Sequence, residues 1–134
     1  MKLKWNETRF DSALGRARGL GAAGSSALHH WVHQRVTAIA NVVLSFWLVL
    51  FVLTLVHTAP DYAGARALLA SGLHPVFALL FVVSAFYHAK LGLQVVVEDY
   101  VPHEGIKIAS LLAIKFLVVF MATVCVVSIL KVVV

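Results

Sequence analysis

The chain is 134 residues long, 61% of them hydrophobic and only 13% charged, with a formal charge of +5. A soluble domain of that length needs a polar surface larger than its core, so the composition excludes the ordinary soluble class and reads as a membrane protein. Nor does the positive charge point to nucleic acid, because the basic residues form no patch interleaved with stacking aromatics; six of the eleven (Lys2, Lys4, Arg9, Arg16, Arg18 and Arg35) precede the first apolar run.

Residues 1–35 come first. They lack a compact apolar stretch followed by a small-residue cleavage site, and they carry Glu7 and Asp11, so neither a secretory signal nor a typical transit peptide is expected. Three apolar runs follow, at about 36–56, 73–97 and 106–134. Each is near the roughly 20 residues that a helix needs to cross about 30 Å of hydrocarbon. The sequence therefore predicts an all-α fold, three transmembrane helices in a single membrane domain over 1–134, without internal repeats. The linker after the first run, HTAPDYAGARALLASGLHP, is punctuated by Pro, Gly and Asp and reads as a loop with a short helical turn at 63–70. The second linker, EDYVPHEG, is tighter, since Pro102 donates no backbone hydrogen bond and Gly105 is expected to end what precedes it. The single cysteine, Cys125, excludes an internal disulfide and reads as a core or lipid-facing residue.

Lysines and arginines near the spans are retained on the cytoplasmic side. Six precede the first span, whereas the first linker offers only Arg66, so the N-terminus is expected inside. Three crossings then put the first linker and the C-terminus outside. They return EDYVPHEG to the inside, beside the basic N-terminal segment.

The stretch FYHAKLGLQVVVEDYVPHEG carries an imidazole, His88, and a carboxylate, Asp99, eleven residues apart. At about 100° per residue this separation returns to within about 20° of its start, so both belong to one helix face. Ser84, Ala85, Gly92 and Val95 share that face. They leave little bulk around the imidazole, and a flat group can approach the backbone there. The helical rise sets His88 about 16 Å from Asp99. With Asp99 at the inner interface, the imidazole lies near mid-membrane, where it needs a partner. Two readings stand open. In one, His88 bonds a backbone carbonyl or a Ser/Thr hydroxyl of a neighbouring helix. In the other, neutral imidazole ligates a metal cofactor, with haem favoured by the clearing of small residues. His57 and His74 lie at the outer ends of the spans and His103 in the inner linker, so a second axial ligand is expected from a partner subunit.

At these residues the chain resembles a known family. HAKLGLQVVVEDY is similar to the H-x(10)-D-Y signature in the second helix of the small hydrophobic membrane anchor of succinate dehydrogenase. HHWVHQRVTAIA resembles that family's R-x-T-A start of its first helix. With three spans and a matching length, the resemblance covers about residues 29–134; residues 1–28 match nothing in particular. The larger sister anchor is expected to carry a Ser–Pro-rich N-terminal signature and an S-x-x-x-R/H-R-x-T-G start, and neither stands here.

The resemblance implies a membrane anchor and electron-transfer subunit of succinate:ubiquinone oxidoreductase, not an enzyme on its own, in a cell inner membrane. It would dock an iron–sulfur subunit and a flavoprotein subunit on the inner face and complete a larger helix bundle with the larger cytochrome b anchor subunit. His88 is implied as one axial ligand of a haem b shared with that larger anchor subunit. Tyr100 is implied to hydrogen-bond a carbonyl oxygen of ubiquinone, with Asp99 beside it. Quinone reduction needs protons as well as electrons, delivered where water reaches, which suits side chains at an interface. Without the resemblance, Tyr100 reads as an interfacial belt aromatic and Asp99 as a solvated helix-end charge.

Arg35 offers a planar fork matched to carboxylates; alone it reads equally as the partner of a haem propionate or as a positive-inside anchor, and the resemblance implies the propionate. His29, His30 and His33 form a second cluster, in which His29 and His33 share a face if the stretch is helical. A zinc site would want more ligands, so these read as interfacial polar residues, with His29 a candidate contact to propionate or quinone surroundings. Lys90 and Lys115 fall inside nominal spans, and the resemblance gives neither a role. Lys90 is expected to snorkel toward the inner headgroups or to meet a carboxylate from another subunit. Two rival readings remain: the anchor of fumarate reductase, and a cofactor-free transporter or assembly subunit with a His88–Asp99 proton relay.

Overall fold

The computed structural model describes residues 22–59 and 61–134, with side chains from Leu28 onward. They form four helices: α1 (Ala22–Thr58), α2 (Tyr62–Ala70), α3 (His74–Tyr100) and α4 (Glu104–Val133). No strand occurs among the described residues. Three of the helices are long and apolar enough to cross a membrane, within Leu28–Thr58, His74–Tyr100 and Glu104–Val133. The all-α, three-span expectation is met. The chain divides into two units, Met1–Val36 and Thr37–Val134.

The helices run longer than the apolar runs that announced them. α1 takes in HHWVHQR, where polar side chains hid the helix from a hydropathy reading while leaving its backbone bonds intact. The short helix expected at 63–70 is α2, which begins one residue earlier. Asp61 caps it from an extended backbone, its Oδ1 accepting from the Gly64 amide at 2.8 Å. A side chain at Gly64 would press on that oxygen at 2.9 Å and on the Ala59 Cα at 3.2 Å, so the close turn into α2 requires glycine. Gly72 adopts a φ of 55°, the left-handed region that glycine enters without cost, and turns the chain into α3. Pro75 sits in the first turn of α3, where its missing N–H would be unpaired anyway.

The second linker departs from expectation in one respect. α3 closes on Tyr100 with the Val101 amide bonded to Val97, and α4 already begins at Glu104. Gly105 therefore belongs to the first turn of α4 and does not end α3. Pro102, with no N–H to continue either ladder, is what separates them.

Within Thr37–Val134, α3 and α4 form an antiparallel hairpin, with α2 packed across both. Arg66 Nε donates to the Val132 carbonyl at 2.8 Å, tying α2 to the C-terminal end of α4. Along the same unit, α1 meets α3 through two side-chain bonds, Thr37 with His88 and Trp47 with His74. Numbers rise along α1 as they fall along α3, so the two helices are antiparallel. At one end Trp47 gathers Phe51, His74 and Phe77, with ring centroids 5.4, 6.1 and 5.5 Å away. Leu91 and Ala59 are the buried apolar residues; the other large apolar side chains of the spans remain wholly or partly uncovered.

Candidate functional site: an intramembrane imidazole held by a threonine

Thr37 enters the site from α1 and His88 from α3. Thr37 Oγ1 and His88 Nδ1 lie 2.9 Å apart and share a hydrogen bond in a half-buried setting. One turn farther along each helix, in the same direction, come Asn41 and Ser84. Asn41 Oδ1 and Ser84 Oγ are both enclosed without a hydrogen-bond partner. Leaving such atoms unpaired costs about 1–3 kcal/mol each, so a polar stripe of this kind in an apolar span reads as a place where something else binds.

The imidazole has two nitrogens with separate duties. With Nδ1 engaged by Thr37, the ring is fixed in rotation and Nε2 is the nitrogen left to meet a ligand. A metal-bound histidine commonly anchors its remote nitrogen in this way. His88 with a small-residue face and an unpaired Ser84 hydroxyl one turn away thus fits a haem ligand. Among the described residues no three His, Cys, Asp or Glu side chains gather to hold a metal ion. The hydroxyl partner expected in the simpler reading of His88 is also present, and the two roles are compatible: one nitrogen each.

The other sequence candidates lie elsewhere. Asp99 is exposed at the end of α3, and Tyr100 beside it is 81% exposed. No side-chain hydrogen bond of either is formed among the described residues. In the N-terminal unit, Arg35 sets its guanidinium 5.2 Å from the Trp31 ring centroid, a cation–π contact. His29 and His33 do share a helix face, their rings edge to face at 4.5 Å. His30 Nε2 is enclosed without a partner in that unit.

Sequence reasoning missed Thr37 as the partner of His88, and Asn41 altogether. Both are polar residues in an otherwise apolar span, and that was the available signal.

Residues 8–129 match the family described as Succinate dehydrogenase/Fumarate reductase transmembrane subunit. The succinate dehydrogenase hydrophobic membrane anchor subunit of Rickettsia bellii is 35% identical over 79% of this chain and 82% of its own length. That of Rickettsia conorii is 35% identical over 73% and 76%, and that of Coxiella burnetii 29% identical over 59% and 67%. No solved structure gives a significant match. A match running from residue 8 to 129, with relatives of one description on most of the chain, places it: the chain belongs to the succinate dehydrogenase/fumarate reductase transmembrane subunit family, with the hydrophobic membrane anchor subunits.

Proposed function

We propose that the chain is the small anchor of a succinate:ubiquinone oxidoreductase in a bacterial inner membrane, with its N-terminus inside. In this reading His88 supplies one axial ligand of a haem b shared with a larger cytochrome b anchor subunit. Tyr100 and Asp99 form part of the ubiquinone site, on the face that receives an iron–sulfur subunit and a flavoprotein subunit. The observation that supports the reading is the Thr37–His88 bond, because it occupies Nδ1 and leaves Nε2 for a ligand. Haem, when bound, supplies a one-electron redox centre. Thr37 orients the imidazole, Ser84 lends a hydroxyl at the next turn, and Arg35 offers a guanidinium to a propionate. Tyr100 holds a quinone carbonyl by its hydroxyl, and Asp99 relays protons from water at the same helix end. The chain does not oxidise succinate by itself; it anchors the subunits that do.

Two substitutions in the purified complex test this. His88→Leu removes an axial bond and is expected to change the haem band and midpoint potential; an unchanged spectrum in an assembled complex refutes the ligand assignment. Tyr100→Phe keeps the ring and removes the hydroxyl, at a cost of about 1–3 kcal/mol if a quinone oxygen loses its partner. Quinone reductase efficiency should fall roughly five- to hundredfold while an artificial acceptor drawing on the soluble subunits is reduced normally. Unchanged quinone activity makes Tyr100 an interfacial belt residue.

A further inference from the structure

The two lysines that this reading leaves without a role, Lys90 of α3 and Lys115 of α4, line one cleft. Its volume is about 210 Å³, and its remaining walls are Gln94, Leu111 and Ile114. Nothing in the sequence joined these residues; the hairpin does so by bringing them to matching heights. Lys90 stands ten residues before Tyr100 at the end of α3, and Lys115 eleven after Glu104 at the start of α4. At the helical rise these are about 15 and about 16 Å along the two axes. Half of the hydrocarbon is about 15 Å thick. Even with several ångströms of each helix end in water, both lysines are rooted well below the headgroups.

Neither cation finds a counter-charge there among the described residues. Lys90 Nζ sits 5.7 Å from the centroid of the Tyr87 ring. Tyr87 lies one turn toward the N-terminus of α3, so the ammonium points away from the Tyr100 end and does not snorkel to the headgroups there. That is the direction long helical side chains take. Lys115 is exposed and makes no ion pair among the described residues. Gln94 is neutral, and its amide donates at 2.8 Å to Glu98, a turn nearer the helix end and outside the cleft wall. Two ammonium groups facing one cleft at this depth are costly without an anion. A phospholipid phosphate lies above the hydrocarbon boundary, on the side that Lys90 turns from. A carboxylate carried on a transmembrane helix reaches any depth.

We infer that the α3–α4 cleft receives an Asp or Glu side chain from a second membrane-spanning chain, clamped between Lys90 and Lys115. The cleft then marks the face of the hairpin on which that chain packs. This stands apart from the haem and quinone assignments, since none of their residues lines the cleft.

The test is made in the assembled complex, with Lys90→Gln/Lys115→Gln compared against Lys90→Arg/Lys115→Arg. After detergent extraction, retention of the membrane-spanning partner and of anionic phospholipid is measured. Retention of the partner should fall by roughly tenfold or more in the glutamine variant, with bound phospholipid unchanged. The arginine variant, which keeps both charges, should restore it. Unchanged retention overturns the inference. A loss that arginine does not restore also overturns it, because packing and not charge then holds the helices. Loss of bound anionic phospholipid from the glutamine variant, with or without the partner, overturns it in favour of a lipid headgroup.

Discussion

The hydroxyl of Thr37 controls more than the angle of one ring. With a ligand on Nε2, the Nδ1–H of His88 donates to Thr37 Oγ1, and accepting that bond makes the imidazole a stronger electron donor. A stronger donor favours the oxidised, more positive iron. Under the proposed haem ligation, Thr37→Val, which keeps the shape and removes the acceptor, is expected to raise the haem midpoint potential, and Thr37→Ser should bring it back. A redox titration of the purified complex reads both; an unmoved potential in Thr37→Val makes the hydroxyl a packing feature only. The sequence made His88 visible, because an imidazole in an apolar run is conspicuous. Thr37 stayed hidden, because a lone threonine is common in membrane helices and its meeting with His88 depends on how α1 and α3 register, fifty-one residues apart in the chain. Lys90 and Lys115 were visible singly for the same reason as His88, and their convergence was hidden for the same reason as Thr37.

At the scale of elements, the least apolar helix depends most on local chemistry. α2 has nine residues, none of them buried, and isolated helices that short are marginal. Its start rests on the Asp61 carboxylate and its flank on Arg66 reaching Val132. Asp61→Ala should cost about 1 kcal/mol of local stability, the usual worth of an N-cap. Amide hydrogen exchange at Gly64 and Ala65 should then quicken roughly fivefold, while α3 and α4 exchange as before. Equal exchange in the variant would assign the helix start to packing on the hairpin. α2 could be read from the sequence because its cap and its glycines are local signals. The ends of the long helices could not: hydropathy marks where the hydrocarbon begins, and backbone bonds continue past that point into polar residues. Gly105 was misjudged for a related reason, since a glycine three residues after a proline signals a break without saying on which side the next helix starts.

For the whole molecule, three crossings and the Arg66–Val132 bond put α2 and the C-terminal end of α4 at one end of the second unit. The charge distribution gives the expected membrane face. A tag at the N-terminus should be reached only from the inside, and one at the C-terminus only from the outside. A cytoplasmic C-terminus would invert the chain and carry Asp99 and Tyr100 away from the face where the proposed soluble partners would bind. The number of spans was legible because composition alone carries it, whereas the face each helix offers its neighbours was not, because lipid-facing and partner-facing positions are equally apolar.

Only Ala59, 7% exposed, and Leu91, 5% exposed, are buried among the described apolar residues. Bilayer can shield the rest of the apolar surface, but it cannot bond the enclosed atoms of Asn41 and Ser84 or neutralise Lys90 and Lys115. Under the proposed assembly, a newly inserted copy is therefore unfinished until its companions arrive. Copies made in surplus are then expected to be the first that membrane proteases remove. Under the proposed assembly, the abundance of this chain is expected to follow the scarcest companion, with unmatched copies lost after synthesis.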